Sequence, residues 1–303
     1  TQVGTDTDWV AVAAAEMHSL GLKRDGTLWA WGDNEQGQLG QGDNLADWVP
    51  TQVGSGTDWV AIEAGGLSSA AIAVDGTLWM WGDNNYGQLG LGDMAPRDTP
   101  EQVTGGDWTS VSLGKGHTVG LKSDGTLWAW GFNGMGQLGL GDTSNRLDPV
   151  QVTQPDSRWR SIGTGAFITQ AIRDDGSLWV AGFNLQGQLG LGDTDNRDTL
   201  TQVGPYSDAV SATGGYGHSL GLKSNGSVWV CGDNSLYQFG DGTDTDRTTF
   251  GQVGVQPDWE AAASGIVHTL VVADDGTLWS AGQNVYGELG LGEGTCRTDD
   301  REH

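Results

Sequence analysis

The chain repeats itself at intervals of about 50 residues, and this period constrains the fold more than any other feature. Gln-Val pairs mark it at Gln2-Val3, Gln52-Val53, Gln102-Val103, Gln151-Val152, Gln202-Val203 and Gln252-Val253. Each repeat continues with two short apolar segments, a turn, a third apolar segment and a long Gly-rich loop. Periods of this length are typical of small units that bury their apolar faces against each other. The sequence therefore predicts one repetitive domain over residues 1–303, with repeats beginning near residues 1, 51, 101, 150, 201 and 251.

An Asp-Gly or Asn-Gly pair separates the second and third apolar segments of every repeat. These pairs are Asp25-Gly26, Asp75-Gly76, Asp124-Gly125, Asp175-Gly176, Asn225-Gly226 and Asp275-Gly276. They favour type I′ hairpin turns, in which both central residues have positive φ. An antiparallel hairpin is therefore predicted in every repeat. Evenly spaced short strands with periodic Gly and aromatic motifs predict an all-β fold, a six-bladed β-propeller of four-stranded antiparallel blades.

Residue size predicts the order of the strands within a blade. The first apolar segments, such as 11–15 and 61–65, consist mostly of small residues. Space is tightest around a propeller axis, so we expect these segments to be innermost and the Gln-Val segments to be outermost, each completing the preceding blade. The spare segment Thr1-Gln2-Val3 is then expected to complete the last blade and close the ring, which removes exposed sheet edges. The alternative is a fragment of a longer, seven-bladed array.

The charge of the chain limits its partners. The formal net charge is −25 and the sequence pI is about 4.1, so the surface repels phosphate backbones and anionic membranes. No apolar run has the length of a membrane span. We therefore expect neither a direct nucleic-acid partner nor membrane insertion. High charge serves solubility in the simplest interpretation, and attraction of a basic protein is the alternative.

Three sequence motifs recur in the same order along almost the whole chain. Examples are His-Ser-Leu-Gly-Leu-Lys at 18–23, Asp-Gly-Thr-Leu-Trp-Ala-Trp-Gly at 25–32 and Gly-Gln-Leu-Gly-Leu-Gly-Asp at 87–93. Together they resemble the regulator of chromosome condensation (RCC1) repeat. The resemblance implies a β-propeller that binds a protein through one face. Propellers of that family usually have seven blades, whereas the six repeats here predict six.

Residues shared by the repeats are expected to serve the fold. An invariant Asn follows each third segment at Asn34, Asn84, Asn133, Asn184, Asn234 and Asn284, where its side chain can satisfy loop amides. Invariant tryptophans are expected to pack between blades: Trp29, Trp79, Trp128, Trp179, Trp229 and Trp279. A His occupies one position in four repeats, as His18, His117, His218 and His268; a structural role is favoured over a metal ring. Cys231 replaces a repeated Trp and is expected to be a small core residue.

The acidic loops leave one cofactor alternative open. Asp193-Thr194-Asp195 and the segment Asp241–Asp246 could coordinate calcium, although the closing Glu of an EF-hand is absent. Otherwise these loops are solvated. An Arg follows in five repeats and is expected to pair with nearby carboxylates or backbone carbonyls: Arg97, Arg146, Arg197, Arg247 and Arg297. We predict no cofactor and no enzyme activity, because no catalytic constellation breaks the repeat pattern.

The residues that vary between repeats are the candidates for function. One set lies between the first and second strands: Met17, Leu67, Lys115, Phe167, Tyr216 and Ile266. The other lies just after the invariant Asn: Gln36, Tyr86, Met135, Leu185, Leu236 and Tyr286. Strand alternation places both sets on the same face. Apolar side chains with an acidic rim indicate a protein interface; the alternative is that they plug the mouth of the axial channel.

These features favour a non-enzymatic binding module with a protein partner. The alternatives are a multivalent carbohydrate-binding lectin and a regulator of a small GTPase that acts as a nucleotide exchange factor. We expect a soluble protein that is secreted or at the cell surface rather than cytoplasmic.

Overall fold

All regular secondary structure in the described part of the chain is β-strand. The computed structural model describes residues 3–154, 158–204, 206–254 and 259–292. Within those ranges the strands form six antiparallel sheets, each ordered as its strands follow one another in sequence. We number these sheets blades 1 to 6. They are the blades of a six-bladed β-propeller, and the predicted fold class is confirmed. No helix long and apolar enough to cross a membrane occurs among the described residues.

The chain divides into two compact units. The first unit, Thr1–Asn133 with Ser144–Gln154, contains blades 1 to 3. Its strands are β1 (Trp9–Ala14), β2 (His18–Lys23), β3 (Leu28–Gly32), β4 (Asp47–Gln52), β5 (Trp59–Gly65), β6 (Ser68–Ala73), β7 (Leu78–Gly82), β8 (Arg97–Gln102), β9 (Trp108–Leu113), β10 (His117–Lys122), β11 (Leu127–Gly131) and β12 (Arg146–Gln151).

The second unit, Gly134–Thr143 with Pro155–His303, contains blades 4 to 6. Its strands are β13 (Trp159–Thr164), β14 (Ile168–Arg173), β15 (Leu178–Gly182), β16 (Arg197–Gln202), β17 (Ala209–Gly214), β18 (His218–Lys223), β19 (Val228–Gly232), β20 (Arg247–Val253), β21 (Trp259–Ser264), β22 (His268–Ala273) and β23 (Leu278–Gly282). Blade 6 has three strands among the described residues. The prediction that Thr1-Gln2-Val3 completes it depends on Thr1 and Gln2, which lie outside them.

The Gln-Val segments complete the blades as expected. In blade 1, Gln52 pairs with Trp29 at the outer edge of the sheet. The small residues of the first strands are required because these strands approach those of the next blade: a Cβ on Gly65 would lie 2.2 Å from the carbonyl oxygen of Leu113. Blade 4 shows the same approach, since a Cβ on Gly163 would lie 2.0 Å from the carbonyl oxygen of Ala212. The predicted inner position of the first strands thus explains their composition.

The hairpins form at the predicted positions, but the predicted turn type is wrong. In blade 1 the amide of Gly26 donates to the carbonyl oxygen of Lys23 at 2.9 Å, and Lys23 N donates to Thr27 O at 3.0 Å. Gly26 has a φ of 80°, whereas Asp25 does not have positive φ. This is a three-residue loop with one glycine bulge. Asp25 Oδ1 accepts bonds from the amide and hydroxyl of Thr27, at 3.0 and 2.7 Å, and so favours this loop over type I′.

One buried position on the third strand holds a large residue in the first unit and a small residue in the second. In the first unit, Trp81 is fully buried and its indole donates to the carbonyl oxygen of Gln38 in the preceding blade at 2.9 Å. The second unit has Ala181 and Cys231 at that position, and both are buried. There the outer strand supplies the bulk, as Leu200 and Phe250, where blades 1 to 3 have the prolines Pro50, Pro100 and Pro149. Cys231 is therefore the small core residue that the sequence predicts.

The structural roles expected of the invariant residues are confirmed. All six Asn are fully buried. Asn34 holds its long loop, because its side chain donates to Asp43 O at 2.9 Å and accepts from Leu39 N at 2.8 Å. The Trp128 ring packs against the core between blades 2 and 3 and donates to the Thr126 hydroxyl at 2.9 Å. The invariant residues therefore serve to stabilise the fold.

The repeated histidines connect neighbouring blades. Nε2 of His18 lies 2.7 Å from the hydroxyl of Ser69, and Nε2 of His218 lies 3.3 Å from the hydroxyl of Thr269, each in the following blade. Burial lowers the pKa of His18 and of His218 to about 4, so both imidazoles are neutral near neutral pH. Each of these histidines is the first residue of the second strand of its blade, and its side chain acts as a neutral hydrogen-bonding group in the core.

The acidic loops use their carboxylates internally. Asp193 pairs with Arg197 at 2.5 Å, and Asp241 pairs with Arg247. The Asp241 carboxylate also accepts the amide of Thr243 at 3.0 Å. The predicted pairing of the repeated arginines is confirmed at these two loops, and calcium there would have to displace a guanidinium. Arg297 lies outside the described residues.

Candidate functional site

The two variable loop sets lie at the same end of each blade. In an antiparallel meander, the connection between strands 1 and 2 and the connection after strand 3 leave the sheet on the same side. In blade 1 the two loops are tied together by a bond from Asp33 N to Met17 O at 2.9 Å. Blade 4 has the corresponding bond from Phe183 N to Phe167 O at 3.0 Å. The shared end predicted from strand alternation is confirmed for the individual blades.

In the first unit this end is partly occupied by internal contacts. Met17 is exposed and Leu67 is half-buried. The exposed Lys115 of blade 3 forms a 3.0 Å ion pair with Glu16 of blade 1. Its ammonium is therefore paired within the unit and adds no unpaired positive charge to the candidate surface.

Tyr86 of blade 2 leans onto the next blade. Its ring centroid lies 4.9 Å from that of Phe132, in a tilted arrangement, and the residue remains 43% exposed. Because one side of the ring packs on protein and the other faces solvent, Tyr86 offers a fixed aromatic surface.

In the second unit the corresponding loops of the three blades adjoin one another and carry apolar side chains. The rings of Phe167 and Tyr216 make an edge-to-face contact with centroids 5.8 Å apart. The amide of Tyr216 donates to the carbonyl oxygen of Ile266 at 2.9 Å. Tyr216 is 44% exposed, Ile266 is 51% exposed and Phe167 is half-buried. These three residues, one from each blade of the unit, are called the loop patch below.

The second loop set adds further apolar residues at this end of the blades. Leu185 and Tyr286 are strongly exposed, whereas Met135 and Leu236 are half-buried. Leu185 lies one residue closer to the invariant Asn than its counterparts do. The structure thus places all the predicted candidates at the loop ends of the blades, with different degrees of exposure.

Buried glutamines hold these second loops in place, a role that the sequence analysis missed. The Gln88 side chain accepts the amide of Tyr86 at 2.9 Å and donates to the Asp83 carboxylate at 2.8 Å. Gln238 repeats both bonds, to Leu236 N at 2.8 Å and to Asp233 at 3.1 Å. The signal was present in the sequence, because five of the six repeats have a Gln four residues after the invariant Asn. Tyr86 and Leu236 of the second loop set are therefore held on a fixed backbone.

Similar proteins and structures carry the same fold. The family model described as RCC1-like domain matches residues 2–220, and the model of the regulator of chromosome condensation (RCC1) repeat matches residues 208–238. Among curated protein sequences, no relative matches the chain.

Solved structures match over nearly the full chain. Human WBSCR16 has 20% sequence identity and a TM-score of 0.86, covering 99% of this chain and 82% of that one. Prp20p from Saccharomyces cerevisiae, in a structure whose description includes its binding properties to Gsp1p and histones, has 23% identity and a TM-score of 0.84, covering 97% of this chain and 75% of that one. A chain of yeast RCC1 (Prp20) bound to Kap60 gives 23% identity and a TM-score of 0.85, covering 97% and 73%. At these identities the structures establish the fold alone, whereas the family model covers more than two thirds of the sequence. This chain belongs to the family of RCC1-like domains.

Proposed function

We propose that this chain is a protein-binding module whose contact surface includes the loop patch. The observation that carries the proposal is that three adjoining loops from three blades carry Phe167, Tyr216 and Ile266. The Phe167 and Tyr216 rings are in contact, the Tyr216 and Ile266 loops are joined by a main-chain bond, and both Tyr216 and Ile266 are about half exposed. Contiguous exposed apolar surface of this kind is a mark of interaction sites. Aromatic residues are also enriched at the centres of protein interfaces.

The rigidity of the loops supports binding with a small loss of conformational entropy. Tyr216 is held by its main-chain bond to the Ile266 loop, and Leu236 is held by the side chain of Gln238. Every loop that becomes ordered on binding loses conformational entropy, which weakens the affinity. Loops that are already fixed avoid this loss.

The charge of the chain indicates what kind of protein fits. The net charge of −25 favours association with basic partners and increases the rate of encounter at low ionic strength. In the related yeast structures, protein partners are named for Prp20, namely Kap60, Gsp1p and histones. We propose by analogy that a protein with a basic surface around an apolar centre binds this chain. The comparisons give the glycan alternative no support.

A regulator of a small GTPase is the second candidate, because the description of the Prp20p structure names Gsp1p. In the described residues of this chain, each blade consists of its three or four strands without an inserted hairpin. An exchange factor must contact the nucleotide site, so this candidate requires the loops themselves to reach it. Accelerated release of a fluorescent nucleotide from a purified GTPase would support it, and an unchanged release rate would eliminate that GTPase.

The proposal is tested by affinity capture with three matched baits: the wild type, the variant Phe167→Ser/Tyr216→Ser/Ile266→Ser, and the control Trp48→Ser/Val74→Ser. The control removes exposed apolar side chains that lie outside the variable loops, 86% and 72% exposed. We expect a protein that the wild type and the control retain and the loop-patch variant loses, and that binds again as a purified protein. Equal retention by all three folded baits would contradict the assigned surface.

A further inference from the structure

Each blade carries an aromatic pair near its hairpin turn, at the end opposite the variable loops. One ring precedes or begins the first strand and the other is the Trp of the third strand. Among the described residues the six pairs have centroids 5.7 to 6.2 Å apart: Trp9–Trp29, Trp59–Trp79, Trp108–Trp128, Trp159–Trp179, Tyr206–Trp229 and Trp259–Trp279. All are edge-to-face contacts, with the two rings standing nearly perpendicular.

In four blades a cation from the end of the second strand lies over both rings. Lys23 Nζ is 4.9 and 4.5 Å from the two centroids in blade 1, and Lys122 Nζ is 4.6 Å from both in blade 3. The Arg173 guanidinium lies 5.1 and 3.9 Å away in blade 4, and Lys223 Nζ lies 4.1 and 4.4 Å away in blade 5. The faces of aromatic rings attract cations at these distances. The pair is therefore a cation-binding element that the chain itself usually fills.

Blade 2 keeps the aromatic pair but lacks the cation. Its second strand ends at Ala73, which pairs with Trp59 in the same register in which Lys23 pairs with Trp9. Within the described part of the chain, no Lys or Arg lies over the ring of Trp59 or Trp79. Both rings are half-buried, so they are reachable from solvent. Blade 6 also has an alanine there, Ala273, but residue 258 beside its pair lies outside the described residues.

In two of the four filled blades a carboxylate pairs with the cation, and blade 2 has an aspartate at the corresponding position. In blade 5, Lys223 Nζ lies 3.1 Å from Asp208, and in blade 1 Lys23 Nζ lies 3.5 Å from Asp8. Each of these aspartates comes just before the first strand, and Asp58 occupies that place in blade 2. Asp58 is exposed, and its carbonyl oxygen is fixed by the amide of Val74 at 2.8 Å. Blade 2 thus keeps the two indole rings and the aspartate position but lacks the cation that lies over the rings in four other blades.

We propose that Trp59, Trp79 and Asp58 form a binding site for a Lys or Arg side chain of a partner protein. The chemistry of the occupant follows from the same element in the other blades, which holds three lysines and one arginine. The net charge of −25 favours a basic segment near this surface. The site lies at the end of blade 2 opposite the variable loops, so it does not depend on the loop patch.

The test is a titration of the full-length protein with Nα-acetyl-lysine methylamide and Nα-acetyl-arginine methylamide, followed by the indole signals in ¹H–¹⁵N spectra. Nα-acetyl-norleucine methylamide is the neutral control ligand, and Trp79→Phe assigns the Trp79 signal. We expect saturable shifts of the Trp79 signal with the two cations, with a dissociation constant in about the millimolar range, and none with norleucine.

The matched variants are Ala73→Lys and Val74→Lys. Ala73→Lys places the chain's own ammonium in the site, as in blades 1, 3 and 5, so we expect binding to weaken by about tenfold or more and the melting temperature to rise. Val74→Lys adds the same charge at an exposed neighbouring position and should keep the binding. Lys122→Ala removes the cation that lies over Trp108 and Trp128. We therefore expect the two cationic ligands to bind there as well and to shift the indole signals of these two residues.

The proposal is overturned if neither cation shifts the Trp79 signal, if norleucine shifts it equally, or if Ala73→Lys binds as the folded wild type does. Because the ligands are single amino-acid derivatives, any of these results leaves the loop patch untouched. Failure of the affinity capture would in turn leave this titration unaffected.

Discussion

Gln170 carries a buried amide that no other described residue satisfies. It lies on β14, is fully buried, and neither Nε2 nor Oε1 has a hydrogen-bond partner among the described residues. Its cross-strand neighbour Val180 belongs to the apolar core shared by blades 4 and 5. The same position is Leu20, Leu220 and Leu270 in three other blades. We therefore predict that Gln170→Leu stabilises the protein.

The magnitude follows from the desolvation of the amide. A buried polar group without partners costs about 1–3 kcal/mol. Leucine is similar in size and removes that cost without leaving a large cavity, so the free energy of unfolding should rise by about 1–3 kcal/mol. For domains of about 150–250 residues, each kcal/mol corresponds to roughly 2–4 °C in Tm.

The assay is urea unfolding at pH 7, comparing midpoints at unchanged m value, with calorimetry for Tm. Leu220→Gln is the matched control, because it introduces an unsatisfied amide at the fully buried counterpart position of blade 5 and should destabilise. A lower midpoint for Gln170→Leu than for the wild type would refute the reasoning, since it would mean that the amide has partners such as a buried water.

Three further predictions concern the loops and the titrating core. Asn84→Ala removes side-chain bonds to Asp93 O and from Leu89 N, both 3.0 Å, and should lower the free energy of unfolding by about 2–4 kcal/mol in urea, whereas an exposed Asn85→Ala should not. The pKa of His18 is lowered to about 4 in the folded protein, so below pH 6.5 the unfolded chain binds more protons than the folded chain, and stability should fall from pH 6.5 to 4. His18→Gln should flatten this fall, and an unchanged slope of stability against pH would contradict the prediction. Burial raises the pKa of Glu63 to about 7 in the folded protein, so stability should also fall as the pH rises from 4.5 through 7. The stability gained by Glu63→Gln should be largest at pH 8, and an equal gain at pH 4 and pH 8 would contradict the prediction.

Features that repeat along the chain were predictable because they depend on local geometry. The Asp25-Gly26 pair gave the position of a hairpin, since glycine readily takes positive φ. It did not give the turn type, which depends on the additional bonds of Thr27 to the Asp25 carboxylate. The invariant Asn34 was likewise predictable as a loop residue, because its bonds stay within ten residues of sequence.

The candidate surface was predictable only as a set of loops. Alternation of strands places Phe167 and Tyr216 at the loop ends of their blades. Whether their rings meet, and whether Lys115 is free or paired with Glu16, depends on the packing of blades whose residues lie about 50 or 100 positions apart. Periodicity carries no information about such distances.

The sequence by itself determined the number of blades, their strands and the end of each blade that varies, because hairpins and alternation act over a few residues. Tertiary structure alone decided which side chains compensate each other, such as Phe250 beside Cys231, where a Cβ on Gly190 would lie 2.3 Å from the Phe250 ring. It also decided that Lys23 lies between two indole rings while Ala73 leaves the same pair open. Close packing between strands fixes these contacts, and a linear pattern does not contain the distances on which packing depends.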